Sequence, residues 1–251
     1  MVGAFLARGM LVGIVAGLLS FGFLKIYGEP QVDRAVSFES QQDEAKAAAD
    51  KAKGMDVPTE HEELVSRSTQ AGIGLFTGVV VYCTAFGGLF GLAFAFAYGR
   101  LDGVPTPRGV AALLAATGFI AIYFVPNLKY PANPPSVGDP ETIGVRTALY
   151  FIMIAISLAA MVGSLTLRPL FAQRFGKWNA NLLVAACYIA IVAVAGLLLP
   201  AVNEVPDQFP AEVLWKFRVA SIGAQFIMWA TLGLLFGALT QRAVTKSRLR
   251  A

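Results

Sequence analysis

Six long stretches of the sequence contain no Asp, Glu, Lys or Arg, and this pattern limits the folds open to the chain more than any other feature. The stretches are 9–24, 68–99, 109–128, 147–167, 178–203 and 219–241. A helix needs about 20 largely apolar residues to cross about 30 Å of hydrocarbon, and five of the stretches reach that length. The first is shorter, but Arg8 and Lys25 at its ends can extend their charged groups to the two membrane interfaces.

We therefore predict an all-α polytopic membrane protein, with a single membrane domain over 1–251 and six transmembrane helices. The predicted spans are 5–26, 69–99, 109–128, 147–167, 179–201 and 219–241, and one long outer loop covers 28–66. The composition agrees, because 56% of the 251 residues are hydrophobic and 14% are charged, against about 25% charged residues in soluble domains. Membrane lipid is thus the first expected partner.

The first stretch has two interpretations, a secretory signal peptide or an uncleaved helix. The residues after its apolar run, 21–25, do not form a small-residue cleavage site. Gly9, Gly13 and Gly17 are spaced four residues apart, which places them on one face of a helix as a ridge of the kind that lets membrane helices pack closely. The sequence therefore favours an uncleaved helix that packs against another span.

The loops between the spans differ in charge. One end of the predicted bundle holds ten of the 20 basic residues and only one of the 16 acidic residues, Asp102, and the other end holds the remaining ten basic and 15 acidic residues. Four bases of the acid-rich end, Arg34, Lys46, Lys51 and Lys53, lie in the long loop, and long loops cross a membrane largely regardless of charge. We therefore predict that both termini are cytoplasmic and that the basic charge signals orientation, not nucleic-acid binding.

An arginine stands at the outer start of each even-numbered span, and the three positions are Arg67, Arg146 and Arg218. Three tandem helical hairpins in one orientation would produce this weak repeat, and parallel repeats occur in transporter folds. Two interpretations of the arginines stay open. They anchor the helices in the headgroup region, or each pairs with a carboxylate of the preceding loop, such as Glu29, Glu141 or Glu204.

No acidic residue lies in any predicted span, so groups that could bind a metal are confined to the loops. The outer-face candidates are Glu29, Asp33, His61, Asn203 and Glu204. Imidazole and carboxylate groups are ligands that divalent transition metals accept, although a merely solvated charged loop is the alternative, above all around His61. The chain has one histidine, which argues against His-based catalysis. We predict neither an enzyme nor a bound cofactor.

Several outer-face segments together resemble the CbtA-type family of probable cobalt transporter subunits. They are Gly28-Glu29-Pro30-Gln31-Val32-Asp33-Arg34-Ala35, Lys129-Tyr130-Pro131-Ala132-Asn133-Pro134-Pro135, Gly138-Asp139-Pro140-Glu141-Thr142-Ile143-Gly144, Pro200-Ala201-Val202-Asn203-Glu204-Val205-Pro206 with Phe209-Pro210, and Leu214-Trp215-x-Phe217-Arg218-x-Ala220-Ser221. The resemblance extends over essentially the whole chain.

This resemblance implies a subunit of a cobalt uptake system in the bacterial cytoplasmic membrane, associated with cobalamin biosynthesis. It also implies a small single-span partner with a histidine-rich metal-binding end, and it leaves a homo-oligomer open. His61 is the only histidine of the first outer loop, which shifts the capture of metal toward that partner. The alternative is a scaffold or regulatory subunit that does not itself transport, and the absence of acids from the spans favours this alternative.

Overall fold

The computed structural model describes residues 2–55, 65–101 and 106–248, and over these ranges the chain is helical without a β-strand. Five segments are long and apolar enough to cross a membrane, and the fourth of them, Pro140–Leu198, contains a break at Gly176. We number the helices α1 (Val2–Ala52), α2 (Arg67–Ala97), α3 (Pro107–Lys129), α4 (143–175), α5 (177–198) and α6 (Ala211–Ser247).

α4 and α5 are the two arms of a hairpin. Gly176 has φ 78° and ψ 162°, a backbone region that is essentially restricted to glycine. The hydroxyl oxygens of Ser157 and Tyr188 lie 2.8 Å apart, whereas a continuous helix would separate these positions by about 46 Å at 1.5 Å per residue. The chain therefore reverses at Gly176, and the described part contains six long apolar helices in five segments.

α1 and α2 pack against each other through backbone contact. A Cβ atom built on Gly9 would lie 2.0 Å from the carbonyl oxygen of Gly87, and one on Gly13 would lie 2.4 Å from that of Cys83. Gly17, one turn further along α1, is buried against the same helix. The predicted ridge of glycines is thus the surface that contacts α2. Since the residue numbers rise on α1 as they fall on α2, the two helices are antiparallel.

α6 packs against α1 and α3 along its length and contacts α2 through aromatic side chains. On the α2 side, the rings of Phe90 and Phe236 meet edge to face with their centroids 5.3 Å apart. On the α3 side, a Cβ atom on Gly118 would lie 2.4 Å from the indole ring of Trp229. α1, α2, α3 and α6 therefore form a four-helix core around one cluster of buried apolar side chains.

This core differs from the predicted three tandem hairpins, in which α5 would pair with α6. α5 instead packs against α4, and α6 lies among the first three helices. Small residues explain the choice: Gly233 and Gly237 of α6 face Ala115 and Ala111 of α3, at distances that only small side chains permit. The helix surfaces are all apolar, as is the lipid around them, so hydrophobicity does not decide which helix packs against α6. The close approach that small residues allow decides it.

The start of α1 and the end of α6 lie at the same end of the bundle. Nη1 of Arg8, near the start of α1, donates to Oγ1 of Thr240, near the end of α6, at 3.1 Å. α6 is antiparallel to α1 and α3 and parallel to α2, as strict alternation of six helices requires. We call the opposite end of the bundle the cap end.

The first helix does not end at Gly28 as the sequence analysis predicts. It continues through Pro30 to Ala52, so residues 29–52 of the predicted outer loop 28–66 are helical. Pro30 removes one backbone donor from the helix, and a π turn over Leu24–Gly28 accommodates the change just before it. At 1.5 Å per residue, Val2–Ala52 is about 77 Å long, so α1 extends far beyond one hydrocarbon thickness.

The hairpin of α4 and α5 lies beside the four-helix core and contacts it mainly through α3. Most of its large apolar side chains are exposed, including Phe151, Val162, Leu170, Leu182, Ile189, Leu197 and Leu198. Leu197 is 85% exposed and Leu198 is 80% exposed, which water would strongly disfavour and lipid would not. This distribution of apolar surface matches a bilayer as the solvent.

Candidate functional site at the cap end

Four chain segments meet in a small cap at the end of the bundle opposite the termini: the outer part of α1, the segments 130–142 and 199–210, and the first turns of α6. Ala35, Val137, Phe209 and Val213 form its buried apolar cluster. Oγ of Ser136 donates to the carbonyl oxygen of Ala35 at 2.9 Å and so fixes the segment 130–142 to α1. The cap carries the acidic and polar residues that the sequence analysis selects.

Arg67 of α2 connects two of the predicted metal ligands. Its Nη2 lies 2.5 Å from Oε2 of Glu29 and 2.9 Å from Oδ1 of Asp33. Residues 29 and 33 are four apart on α1, so both carboxylates project from one helix face toward α2. Only 10% of the Glu29 side chain is exposed, whereas Asp33 is 60% exposed. The guanidinium thus compensates one of the two negative charges that these carboxylates bring.

Glu204 receives its contacts from the segment that precedes α4. Its carboxylate accepts hydrogen bonds from Oγ1 of Thr142 at 2.6 Å and from the backbone N–H of Asp139 at 2.8 Å. Nε of Arg146 lies 3.2 Å from Oε2 of Glu204, but its N–H is not aligned with a hydrogen-bond acceptor. Arg146 therefore faces Glu204, whereas Glu141, its predicted partner, is exposed and forms no ion pair with it.

Arg218 has no carboxylate partner among the described residues, which corrects its predicted pairing with Glu204. Its Nε donates to the carbonyl oxygen of Ala132 at 3.3 Å, and its Nη2 donates to Oδ1 of Asn133 at 2.9 Å. Both acceptors are neutral. Glu204 contacts Arg146 instead of Arg218 because the segment 199–210 presents Glu204 to the start of α4 and not to the start of α6.

The contacts of Glu204 lower the pKa of its carboxyl group below the usual value of 4.5, first through the Thr142 hydroxyl, then through the Asp139 N–H and the Arg146 charge. Each of these groups favours the ionised form. A lowered pKa means that the charged carboxylate stabilises the folded cap above pH 4.5, and that this contribution is lost as the pH falls through the lowered pKa.

We therefore expect the Glu204→Gln variant to melt at a lower temperature than the wild type near neutral pH, by a difference that shrinks toward zero as the pH falls well below 4.5. Thermal unfolding in detergent over a series of pH values measures this difference. Glu141→Gln is the matched control, because the Glu141 side chain is exposed and makes no ion pair in the described part of the chain. The same pH dependence in both variants would contradict the role of Glu204.

The predicted metal ligands do not come together as one site. Glu29 and Asp33 share Arg67, Glu204 lies with Arg146, and Asn203 is exposed beside Glu204. His61 lies outside the described residues. Within 2–55, 65–101 and 106–248, no group of three or more His, Cys, Asp or Glu side chains could hold a metal ion.

A cavity of about 400 Å³ opens at the cap end between the end of α3, the start of α4, the segments 130–137 and 202–205, and the start of α6. Its polar and charged lining comprises Asn127, Asn133, Asn203, Arg146, Thr147, Glu204 and Arg218, and the rings of Tyr123, Tyr130 and Tyr150 supply much of the apolar lining. Four of the residues singled out from the sequence therefore line one cavity: Arg146, Asn203, Glu204 and Arg218.

The sequence places several further polar side chains at this end but does not reveal the contacts by which they organise the cavity. Oδ1 of the buried Asn127 accepts from the N–H of Ala132 at 3.1 Å, and Asn133 orients Arg218. Asp139 caps the turn Pro140–Thr142 by accepting from the N–H of Glu141. That last role has a signal in the sequence, since Asp followed by Pro is a common start of a helical turn.

Long helices that each contain an apolar, nearly uncharged stretch of membrane-spanning length define a helical membrane protein. The chain belongs to the family of probable cobalt transporter subunits, CbtA, whose family model matches residues 2–241, nearly the whole length. No curated protein and no solved structure matches the chain. The name of the family describes a subunit, which implies a partner.

Proposed function

We propose that this protein is the membrane subunit of an uptake system for cobalt, or a similar divalent cation, in the bacterial cytoplasmic membrane. The observation that carries the proposal is the match of the cobalt transporter subunit family over 2–241. The cation is the cargo and not a resident cofactor, the chain performs no catalysis, and the cobalt serves cobalamin biosynthesis.

We place six crossings in the membrane, one for each of α1 to α6, with both termini in the cytoplasm. The common position of the termini supports an even number of crossings, and the excess of Lys and Arg over acids at that end supports its cytoplasmic location. The cap then faces outward, where the metal arrives.

We assign the capture of metal to a small, single-span, histidine-rich partner, with Glu29, Asp33 and His61 of this chain as the residues that receive the ion. The chain has one histidine, and the described residues offer no cluster that could hold a metal by itself. Neither carboxylate site at the cap has a free pair of acids, because an arginine lies against each. A partner that supplies imidazole ligands would complete such a site.

A second candidate function is a scaffold for the partner without a transport path of its own. The specific observation in its favour is that the six uncharged stretches contain no carboxylate, whereas pathways for ions through membranes usually contain ionisable side chains. In this case the partner or another subunit would conduct the ion.

Reconstitution separates the two functions. We would measure Co²⁺ influx into liposomes that contain this protein alone, the proposed partner alone, or both together. A transport subunit gives influx with this protein that the partner increases. A scaffold gives influx only in vesicles that contain the partner, and this protein raises the amount of partner inserted without raising influx per partner molecule. Absence of influx in all three preparations, with both proteins correctly inserted, would rule out uptake.

A further inference from the structure

The cavity at the cap end carries an excess of positive charge. Three of the residues that line it are charged, Arg146, Arg218 and Glu204. Glu204 already accepts hydrogen bonds from two neutral donors and faces Arg146. One positive charge is therefore left without an acidic partner in the described part of the chain, and it belongs to Arg218.

The two guanidinium groups retain donors for a further acceptor. Arg218 uses Nε and Nη2 on neutral oxygens, and a guanidinium has five N–H donors in a planar fork. Nε of Arg146 is buried 3.2 Å from Oε2 of Glu204 without an aligned hydrogen bond, and Nη2 of Arg146 donates to the carbonyl oxygen of Asp139 at 3.2 Å. Both arginines therefore keep N–H groups that no acceptor in the described part of the chain occupies, and these groups are available to a further acceptor.

The sign of the charge selects the class of ligand. A free divalent cation in this cavity would meet the uncompensated charge of Arg218 in a partly desolvated environment, where repulsion is weakly screened. An anion would meet two guanidinium forks, the groups best matched to bind the two oxygens of a carboxylate or phosphate.

The size and the walls indicate an organic ligand. The volume of about 400 Å³ is more than ten times the roughly 30 Å³ that one water occupies, and it falls in the range of cavities that bind small molecules. The hydroxyl groups of Tyr123 and Tyr130 bond to Ser221 and to the carbonyl oxygen of Pro200, at 2.8 Å each. Because these hydroxyls are satisfied, the tyrosine rings serve as apolar walls.

We propose that this cavity is a binding site for a small organic anion, whose carboxylate or phosphate group binds Arg218 and Arg146 and whose body packs against the tyrosine rings. The site is distinct from the carboxylates at Arg67 and does not depend on the proposed uptake of cobalt. The same anionic chemistry is available from a soluble organic acid and from the headgroup of an anionic lipid, and the experiment separates the two.

The test is calorimetric titration of the purified full-length protein in neutral detergent, with citrate as the probe. The buffers are freed of metal because citrate also chelates divalent cations. We expect Arg218→Gln to bind citrate roughly tenfold to a hundredfold more weakly, the effect of losing a hydrogen bond to a charged group. Arg34→Gln, which removes an exposed arginine elsewhere in the cap, is the matched control and should bind as the wild type does.

Two further variants protect the test if Arg218→Gln does not fold. Arg218→Lys retains the charge but not the planar fork, and Asn133→Ala leaves both arginines in place but removes the amide that orients Arg218. Each should bind citrate several-fold more weakly.

A second measurement tests a lipid headgroup as the ligand. It compares melting temperatures in nanodiscs of phosphatidylglycerol and phosphatidylcholine, for the wild type and the Arg218 variants.

Binding of citrate that depends on Arg218 supports the site with a soluble acid as its ligand. No citrate binding, together with a stabilisation by phosphatidylglycerol that depends on Arg218, supports the same anion site with a lipid headgroup in it. Citrate binding that is equal in the wild type and the folded Arg218 variants, or no response in either arm, would overturn the proposal.

Discussion

Gly13→Ala is expected to destabilise the protein by about 2–3 kcal/mol, the upper part of the range for overpacked cores. The added Cβ atom would lie 2.4 Å from the carbonyl oxygen of Cys83 and 2.8 Å from Cα of Thr84. Both are backbone atoms of α2, so no side chain can rotate to make room. The helices must separate, and the contact between α1 and α2 is lost along several turns. Denaturant titration in mixed micelles measures the free energy of unfolding.

Gly22→Ala is the matched control, because it makes the same chemical change on the same helix. A Cβ atom at Gly22 would have no atom within 4 Å outside its own helix backbone, and alanine favours a helix over glycine by up to about 1 kcal/mol. This variant should therefore be as stable as the wild type or slightly more stable. If both variants lost the same free energy, the close contact between α1 and α2 would be refuted.

Removal of Arg67 is expected to have the second largest effect on stability, about 2 kcal/mol for Arg67→Gln. Loss of one partner from a fully buried ion pair costs about 3–5 kcal/mol, and the exposure of the Arg67 side chain, 26%, reduces that figure. The penalty arises because the largely buried Glu29 carboxylate, with only 10% of its side chain exposed, loses the guanidinium that contacts it. The double variant Glu29→Gln/Arg67→Gln should lose less than the sum of the two single variants.

The surface pair of Lys46 and Asp43 provides the control for this cycle. These side chains are 71% and 68% exposed and lie 3.9 Å apart, so Lys46→Gln should change the free energy of unfolding by less than about 0.5 kcal/mol. Additive losses at Arg67 and Glu29 would show that the two side chains do not interact.

The same variants show whether Glu29 acts on the metal or only on the fold. If its carboxylate receives the ion, Glu29→Gln reduces Co²⁺ uptake at limiting metal, whereas Arg67→Gln leaves the carboxylates in place and retains uptake in the fraction that is folded. If the pair is only structural, uptake in both variants falls in proportion to the folded fraction. The comparison thus separates the two roles of one pair of residues.

The ion pairs of the cap show where sequence reasoning reaches its limit. Arg67 and Glu29 could be matched because Glu29 follows the first uncharged stretch and Arg67 precedes the second, so both lie at the same end of consecutive spans. Arg146 and Arg218 were assigned to Glu141 and Glu204 by the same rule, but Glu204 faces Arg146. Partner choice there depends on how two irregular segments of about ten residues cross the end of the bundle, and no periodic pattern encodes such a path.

Proline gave a misleading signal at the end of the first span. Pro30 removes a donor and usually ends or kinks a helix, and it lies at the start of the predicted outer loop 28–66. The structure continues the helix because Pro30 lies in the first turn after the π turn Leu24–Gly28. Pro200 stands after the last helical residue of α5, Leu198, and there the helix does end. Local backbone geometry that is not visible in composition decides between the two outcomes.

The six uncharged stretches by themselves determined a helical membrane protein, because a charged side chain or an unpaired backbone group in hydrocarbon is costly whatever its neighbours are. The glycine spacing in α1 likewise determined a face for close packing, since that property belongs to one helix. Only the tertiary structure decided that α6 lies among α1, α2 and α3, that α4 and α5 form a separate hairpin, and that two arginines share one cavity with a single carboxylate. These features depend on the fit between surfaces of different helices. In lipid that fit is set by the shape of the helix surfaces and by the charges at the helix ends, and the hydrophobicity of the sequence encodes neither.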